Sequence, residues 1–214
     1  MIPKTQSEHT RALCQLAPII PVLVIEDATK AEQLGVALVK GGLPVLEVTL
    51  RTDAALDAIK AMASISGGHV GAGTVLTREQ VYRAKDAGAS FAVAPGATET
   101  LIRACEDASL PLLPGAVTAS EVMQTNEYGY DMLKFFPAET SGGAPALKAL
   151  AGPLPHITFC PTGGVTPENA GSYLSLPNVI CAGSSWIAPA KAVAEEDWAG
   201  IQARAHSAAA LRQG

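Results

Sequence analysis

Two side chains of this sequence carry complementary chemistry. Lys134 lies in the apolar run Met132-Leu133-Lys134-Phe135-Phe136, stopped by Pro137, and Glu47 lies in Val45-Leu46-Glu47-Val48-Thr49-Leu50. Each run has the length of a strand, and a proline cannot donate the next ladder hydrogen bond. Burial of an ammonium among such neighbours favours the free amine, which beside a carbonyl compound is a Schiff-base nucleophile. A carboxylate within reach then serves as acid and base. A lysine whose stem covers apolar neighbours while its head stays in water has no such role. Strand alternation sets Glu47 on the same side as Val45, Thr49 and Arg51, opposite Leu46, Val48 and Leu50. It likewise groups Met132, Lys134 and Phe136 against Leu133 and Phe135. If the apolar sides meet outer helices, Glu47, Arg51 and Lys134 point into one space. Either they form a catalytic group or Glu47 pairs with Lys134 or Arg51 as a structural ion pair.

Three glycine-containing segments offer places for an anion. Pro161-Thr162-Gly163-Gly164-Val165-Thr166-Pro167 sets two glycines before an expected helix start, where free N–H groups and the helix dipole favour negative charge. Ala182-Gly183-Ser184-Ser185-Trp186 is a second such turn. In Gly71-Ala72-Gly73-Thr74 small residues admit a ligand close to the backbone, and the Thr74 hydroxyl can donate to a carboxylate. Tight turns use glycine as well, so each segment also reads as a plain turn.

The elements that must position these residues alternate along the chain. Strands are expected at residues 19–25, 45–50, 70–73, 91–94 and 110–113, in the lysine run, and at 156–160 and 179–182. Capping boxes at Thr29/Glu32, Thr77/Gln80 and Thr118/Glu121 predict helix starts, as do Thr52, Thr98 and Thr166-Pro167. Gly41-Gly42, Gly88 and Gly129 end helices. Further helices are expected at 7–16, 143–150 and 195–211. Eight strands each followed by a helical segment predict an α/β fold, a (β/α)8 TIM barrel with an extra N-terminal helix capping its bottom, as one domain over residues 1–214. An open doubly wound sheet is the competing topology. In a barrel the strand ends carrying Glu47, Arg51 and Lys134 are the active-site face, and a phosphate site after strands seven and eight recurs.

Composition narrows the partners. With 48% hydrophobic and 16% charged residues in 214, the chain can bury a large core. A formal net charge of -5 gives no basic footprint, which argues against nucleic acid and anionic membranes. The polar first residues do not read as a secretion signal, and no apolar run approaches the roughly 20 residues of a membrane span, so a cytoplasmic protein is expected. Cys14, Cys105, Cys160 and Cys181 are too scattered for a Cys-x-x-Cys pair and read as reduced core residues. His9, His69, His156 and His206 lack metal-ligand spacing.

Leu46-Glu47-Val48-Thr49-Leu50-Arg51-Thr52, Val70-Gly71-Ala72-Gly73-Thr74-Val75-Leu76, Lys134-Phe135-Phe136-Pro137-Ala138-Glu139 and Phe159-Cys160-Pro161-Thr162-Gly163-Gly164 resemble the signature segments of the bacterial 2-keto-3-deoxy-6-phosphogluconate aldolase and 4-hydroxy-2-oxoglutarate aldolase family. The resemblance runs in the same order over nearly the whole chain. It implies a class I aldolase with a small-molecule substrate, no metal and no cofactor, assembled as a homotrimer. It implies Lys134 as the Schiff-base lysine, Glu47 as acid and base, Arg51 and Thr74 on the pyruvate carboxylate, and Phe136 and Thr162 in the substrate pocket. Gly163, Gly164, Gly183, Ser184 and Ser185 match the phosphate cradle. The family usually has Gly-Gly-Ser where this chain has Gly183-Ser184-Ser185, so the Ser184 side chain either crowds a phosphate or adds a donor. On the residues alone three other readings stand: a phosphosugar isomerase or synthase that uses Lys134 only as a charge, a sensor of a phosphorylated metabolite, and a metal-dependent pyruvate aldolase.

Overall fold

The computed structural model describes residues 1–212, so residues 213 and 214 of the expected domain lie outside the described residues. Eight strands run in chain order: β1 (Ile19–Leu23), β2 (Val45–Thr49), β3 (His69–Gly73), β4 (Ala92–Val93), β5 (Leu112–Leu113), β6 (Met132–Phe135), β7 (Thr158–Pro161) and β8 (Ala182–Ser184). The pairings are parallel. Six strands form a curled sheet in the order β5-β4-β3-β2-β1-β8, and β6 pairs with β7. Regular pairing thus joins six strands where a continuous ladder of eight was expected. Between β5 and β6 stands a single isolated parallel bridge, Gly115 with Lys134, and between β7 and the chain leading through β8 stand two, Phe159 with Val179 and Thr162 with Gly183. Pro114 and Pro161 lie at those junctions, and proline has no N–H to extend a ladder.

The helices are α1 (Pro3–Cys14), α2 (Ala31–Lys40), α3 (Ala55–Met62), α4 (Arg78–Asp86), α5 (Glu99–Ala108), α6 (Ala119–Glu127), α7 (Gly143–Ala151), α8 (Ala170–Leu174), α9 (Ala190–Ala194) and α10 (Trp198–Ala209). Thr77 and Thr118 close full capping boxes with Gln80 and Glu121, and Thr98 caps α5. Thr29 and Thr52 do not cap helices. The Thr29 hydroxyl donates to Asp27 Oδ1 at 2.6 Å, and Asp27 caps a short 3-10 turn before α2. The Thr52 hydroxyl donates to the Ile25 carbonyl, tying the chain after β2 to the end of β1. The helix expected at 195–211 is α10, which starts at Trp198 because Glu196 takes a left-handed φ of 57° and Asp197 is the cap; α9, just before it, was not expected. Among the described residues no helix is long and apolar enough to cross a membrane.

Alternation along the strands sorts the core as expected. Leu46, Val48, Leu133 and Phe135 join the larger cluster with the helices, whereas Val45, Met132, Cys160, Ile20 and Phe91 form a second cluster with Leu13 and Cys14 of α1. All four cysteines are free and buried. Helix α1 begins four residues before its expected start, with Pro3 in its first turn, where a missing N–H is harmless. Two polar residues, both fully buried, dock it onto the strand starts. Gln6 Oε1 accepts from Leu112 N–H at 3.0 Å and from the Tyr130 hydroxyl at 2.8 Å. Ser7 Oγ accepts from Asp131 N–H at 3.0 Å and Met132 N–H at 2.9 Å, and donates to Asp131 Oδ1 at 2.7 Å.

Ser7→Ala strands those two N–H groups and is expected to lower the unfolding free energy by about 2 kcal/mol. Urea denaturation checks it: the midpoint falls at constant slope. An unchanged midpoint would show that α1 docks through apolar packing alone.

Candidate active site

Strand β2 delivers Glu47 and strand β6 delivers Lys134 to the same place. Lys134 Nζ lies 3.1 Å from Glu47 Oε1, and the residues are only 5% and 3% exposed. The pair is therefore Glu47–Lys134 and not Glu47–Arg51. Backbone bonds hold the lysine at the junction beside Gly115: its N–H donates to the Pro114 carbonyl at 2.8 Å, and its carbonyl accepts from Ala116 N–H at 2.9 Å. The carboxylate fits because residue 73 is glycine, since a Cβ there would lie 2.6 Å from Glu47 Cγ. The Phe136 ring lies with its centroid 5.2 Å from Nζ, close enough for a cation–π contact, and Phe136 is 36% exposed at the mouth of the site. Below the pair, Cys14 and Cys181 are held protonated, Cys14 by its hydrogen bond to Cys160 and by burial, Cys181 by its bonds to Cys14 and Cys160 and by burial.

Arg51 and Thr74 stand at adjacent strand ends. Leu50 N–H donates to the Gly73 carbonyl at 2.8 Å, which joins the end of β2 to the end of β3. Arg51, the next residue, is exposed and forms no hydrogen bond or ion pair with the described residues. The Thr74 hydroxyl is likewise unpaired among them. Thr74 has φ 56°, a left-handed conformation that a β-branched residue rarely adopts. Such outliers concentrate at ligand sites.

The expected helix start at Thr166-Pro167 is not there. Asn169 Oδ1 accepts from Thr166 N–H at 2.8 Å, its Nδ2 donates to the Gly164 carbonyl at 2.9 Å, and α8 begins only at Ala170. The loop at residues 162–165 therefore owes its polarity to its own backbone and not to a helix dipole. Each of its four carbonyls takes a donor from the surrounding framework. Thr162 accepts from Ala138 N–H at 2.8 Å, Gly163 from Glu139 N–H at 3.1 Å, Gly164 from Asn169, and Val165 from the Ser184 hydroxyl at 2.6 Å. The N–H groups of Gly164 and Val165, and those of Ser185 and Trp186 after β8, have no acceptor among the described residues. The Thr162–Gly183 bridge sets the two loops side by side. Successive free N–H groups in a turn make an anion-binding concavity.

Gly183 and Ser184 belong to β8, which starts three residues later than expected, and only Ser185 onward forms the turn. The Ser184 hydroxyl points to Val165 and is already donating, whereas the Ser185 side chain is exposed and unpaired. Thr162 is 5% exposed. Reasoning from the sequence missed the bond from Ser184 to Val165, the part played by Asn169, and a hydrogen bond from the Tyr173 hydroxyl to Glu139 Oε1. Asn169 had a local signal, three residues after Thr166.

A buried lysine in contact with a carboxylate, on the inner side of a parallel α/β sheet and near two loops with free amides, is an arrangement found in α/β enzymes. The sequence profile of the KDPG and KHG aldolase family matches residues 10–204. The 2-dehydro-3-deoxy-phosphogluconate aldolase of Pseudoalteromonas atlantica is 51% identical over 194 residues, 90% of each chain. The 2-keto-3-deoxy-6-phosphogluconate aldolase of Zymomonas mobilis ZM4, solved with 3-phosphoglycerate, superposes with a TM-score of 0.91 at 46% identity, over 96% of this chain and 97% of the other. The KDPG aldolase of Legionella pneumophila, solved with pyruvate captured at low pH as a covalent carbinolamine intermediate, gives 0.90 at 42% identity, over 93% and 97%. The chain belongs to the KDPG and KHG aldolase family.

Thr74→Gly removes the left-handed penalty and is expected to stabilise the fold by about 1 kcal/mol, whereas Thr74→Ala gains less. Thermal unfolding of the two variants checks this. Equal destabilisation by both would show that the side chain, not the backbone, is what the fold requires there.

Proposed function

We propose that the chain is a class I aldolase that cleaves 2-keto-3-deoxy-6-phosphogluconate to pyruvate and glyceraldehyde 3-phosphate, and 4-hydroxy-2-oxoglutarate to pyruvate and glyoxylate. The observation that carries this reading is the buried contact of 3.1 Å between Lys134 Nζ and Glu47 Oε1. It gives a proton a direct path from ammonium to carboxylate, leaving an amine free to add to the C2 ketone. The resulting carbinolamine loses its hydroxyl as water, with Glu47 supplying the proton, and an iminium forms on Lys134. Glu47, again a carboxylate, takes the C4 hydroxyl proton while the C3–C4 bond breaks and its electron pair enters the enamine. The aldehyde leaves. Glu47 returns the proton to C3, and water hydrolyses the iminium to release pyruvate and restore the amine. The pyruvate carbinolamine of the Legionella relative supports the covalent route.

Arg51 has a guanidinium fork free to bind both oxygens of the substrate carboxylate, and Thr74 has a free hydroxyl beside it. Phe136 and Thr162 flank the reacting carbons. The phosphate is held by the free N–H groups of the two loops at Gly164, Val165, Ser185 and Trp186, with Gly163 and Gly183 beside them. Ser184 contributes through its position, since its hydroxyl already bonds Val165. The 3-phosphoglycerate of the Zymomonas relative supports a phosphate-bearing substrate. The reading extends to closure of the strands as a single-domain (β/α)8 barrel, supported by the bridges at both junctions, and to a cytoplasmic homotrimer, supported by the family resemblance.

Borohydride reduction in the presence of pyruvate tests the proposal. A stable pyruvate-derived adduct on Lys134, found by peptide mass spectrometry, with loss of activity, is the expected result. Glu47→Gln should form the adduct more slowly and lower turnover by about 100-fold or more, the usual scale for loss of a general acid and base. No adduct on a folded, pyruvate-saturated protein would sink the Schiff-base reading in favour of a non-covalent phosphosugar enzyme.

A further inference from the structure

Glu139 closes the lysine segment, yet the chemistry above gives it no task. It sits on a 3-10 turn, Glu139–Ser141, that follows β6 and runs alongside the loop at residues 162–165. Its N–H donates to Gly163, and its methylene stem lies directly against Gly164: a Cβ at that position would come within 2.6 Å of Glu139 Cγ, at a φ of +80°. Its carboxylate Oε1 accepts from the hydroxyl of Tyr173, a fully buried residue of α8. Asn169, the residue before α8, holds the Gly164 carbonyl from the other side. Gly164 is thus gripped by two chain segments, and one hydrogen bond locks those segments to each other.

We propose that Glu139 and Tyr173 form a latch that positions the Gly163-Gly164 loop, and that they are positioning residues for the phosphorylated end of the substrate. The proposal rests on the reading of that loop as the phosphate site. The latch works by exclusion. With Glu139 pinned by Tyr173, its stem fills the space beneath Gly164, the loop cannot collapse toward α8, and the carbonyls stay turned into the framework with the amides facing away. A carboxylate this close to an anion loop opposes anion binding by charge, so a site built for phosphate has reason to tie it down and direct it away. The tyrosine hydroxyl does both. Burial first, then the bond to Glu139 and its negative charge, push the Tyr173 phenol above its ordinary range, so it remains a donor at neutral pH.

The test is steady-state kinetics on the full chain with both proposed substrates, using Tyr173→Phe, which removes only the hydroxyl, together with Glu139→Ala and Glu139→Gln. For Tyr173→Phe, KM for the phosphorylated six-carbon substrate should rise about ten-fold, the scale of a lost charge-assisted hydrogen bond, with kcat within about two-fold of the parent. KM and kcat for the unphosphorylated 4-hydroxy-2-oxoglutarate should not move. Glu139→Ala should reproduce or exceed this effect, and Glu139→Gln, whose amide oxygen still accepts from the phenol, should restore KM. Inorganic phosphate, as a competitive inhibitor, should weaken in parallel. If Tyr173→Phe leaves KM for the phosphorylated substrate unchanged, or raises both KM values alike, the latch is wrong. The parent separates that failure from failure of the underlying reading. If the parent neither prefers the phosphorylated substrate nor is inhibited by phosphate, the loop is not a phosphate site and the latch falls with it.

Discussion

The contact between Lys134 and Glu47 is the constraint on which the rest of the structure depends. Two opposite charges at 3.1 Å, each almost fully buried, lose several kcal/mol of hydration apiece and recover it only if their geometry is held. The residues come from β2 and β6, strands that share no ladder, so the pair exists only because the sheet curls until its concave side meets the β6–β7 pair. Gly73 leaves room for the carboxylate and Phe136 covers the amine. Beneath them α1 seals the interior through Leu13 and Cys14, with Gln6 and Ser7 satisfying strand-start groups that would otherwise be buried without partners. Replacing a buried ion pair with apolar side chains is often neutral or stabilising, so its presence here argues for chemistry more than for stability.

The loop after β7 presents free amides because framework donors, two from the backbone and two from side chains, hold its carbonyls. A peptide unit has a donor and an acceptor on opposite sides, so turning the carbonyls one way turns the amides the other. Four framework donors, from Ala138, Glu139, Asn169 and Ser184, take the carbonyls of residues 162–165. The amides of Gly164 and Val165 are left without an acceptor among the described residues. No lysine or arginine is needed in the loop, which is compatible with a chain of net charge -5.

Much of this was legible in the sequence wherever the cause is local. The capping boxes at Thr77 and Thr118 each involve a partner three residues away, and both formed. Thr29 and Thr52 carry a similar signal but found better partners in Asp27 and in the Ile25 carbonyl, the second of which only the fold brings near. Period-two alternation placed Glu47 and Lys134 on the inner side because each strand has one face toward the helices. It also grouped Arg51 with them, although Arg51 lies beyond the strand and stays exposed. The contacts from Ser184 to Val165 and from Tyr173 to Glu139 span 19 and 34 residues, and no periodicity or motif encodes a pairing at such a distance. The sheet's two interruptions had a visible cause in Pro114 and Pro161, but a proline between apolar runs reads equally as a strand end.

Those interruptions coincide with the chemistry, and the coincidence has a physical basis. A residue inside a regular ladder has both backbone groups committed and its side-chain direction fixed by the pleat. At a junction held by isolated bridges, the chain can diverge after the last bridge while the strands before it stay in register. Lys134 is the bridging residue at one junction, and Phe159 and Thr162 are the bridging residues at the other. Between them β6 and β7 pair over four consecutive residues, from Met132 with Thr158 to Phe135 with Pro161, and Ala138 and Glu139 carry the contact on to Thr162 and Gly163. In the proposed reading this short ladder sets the amine of Lys134 in register with the loop whose amides are free.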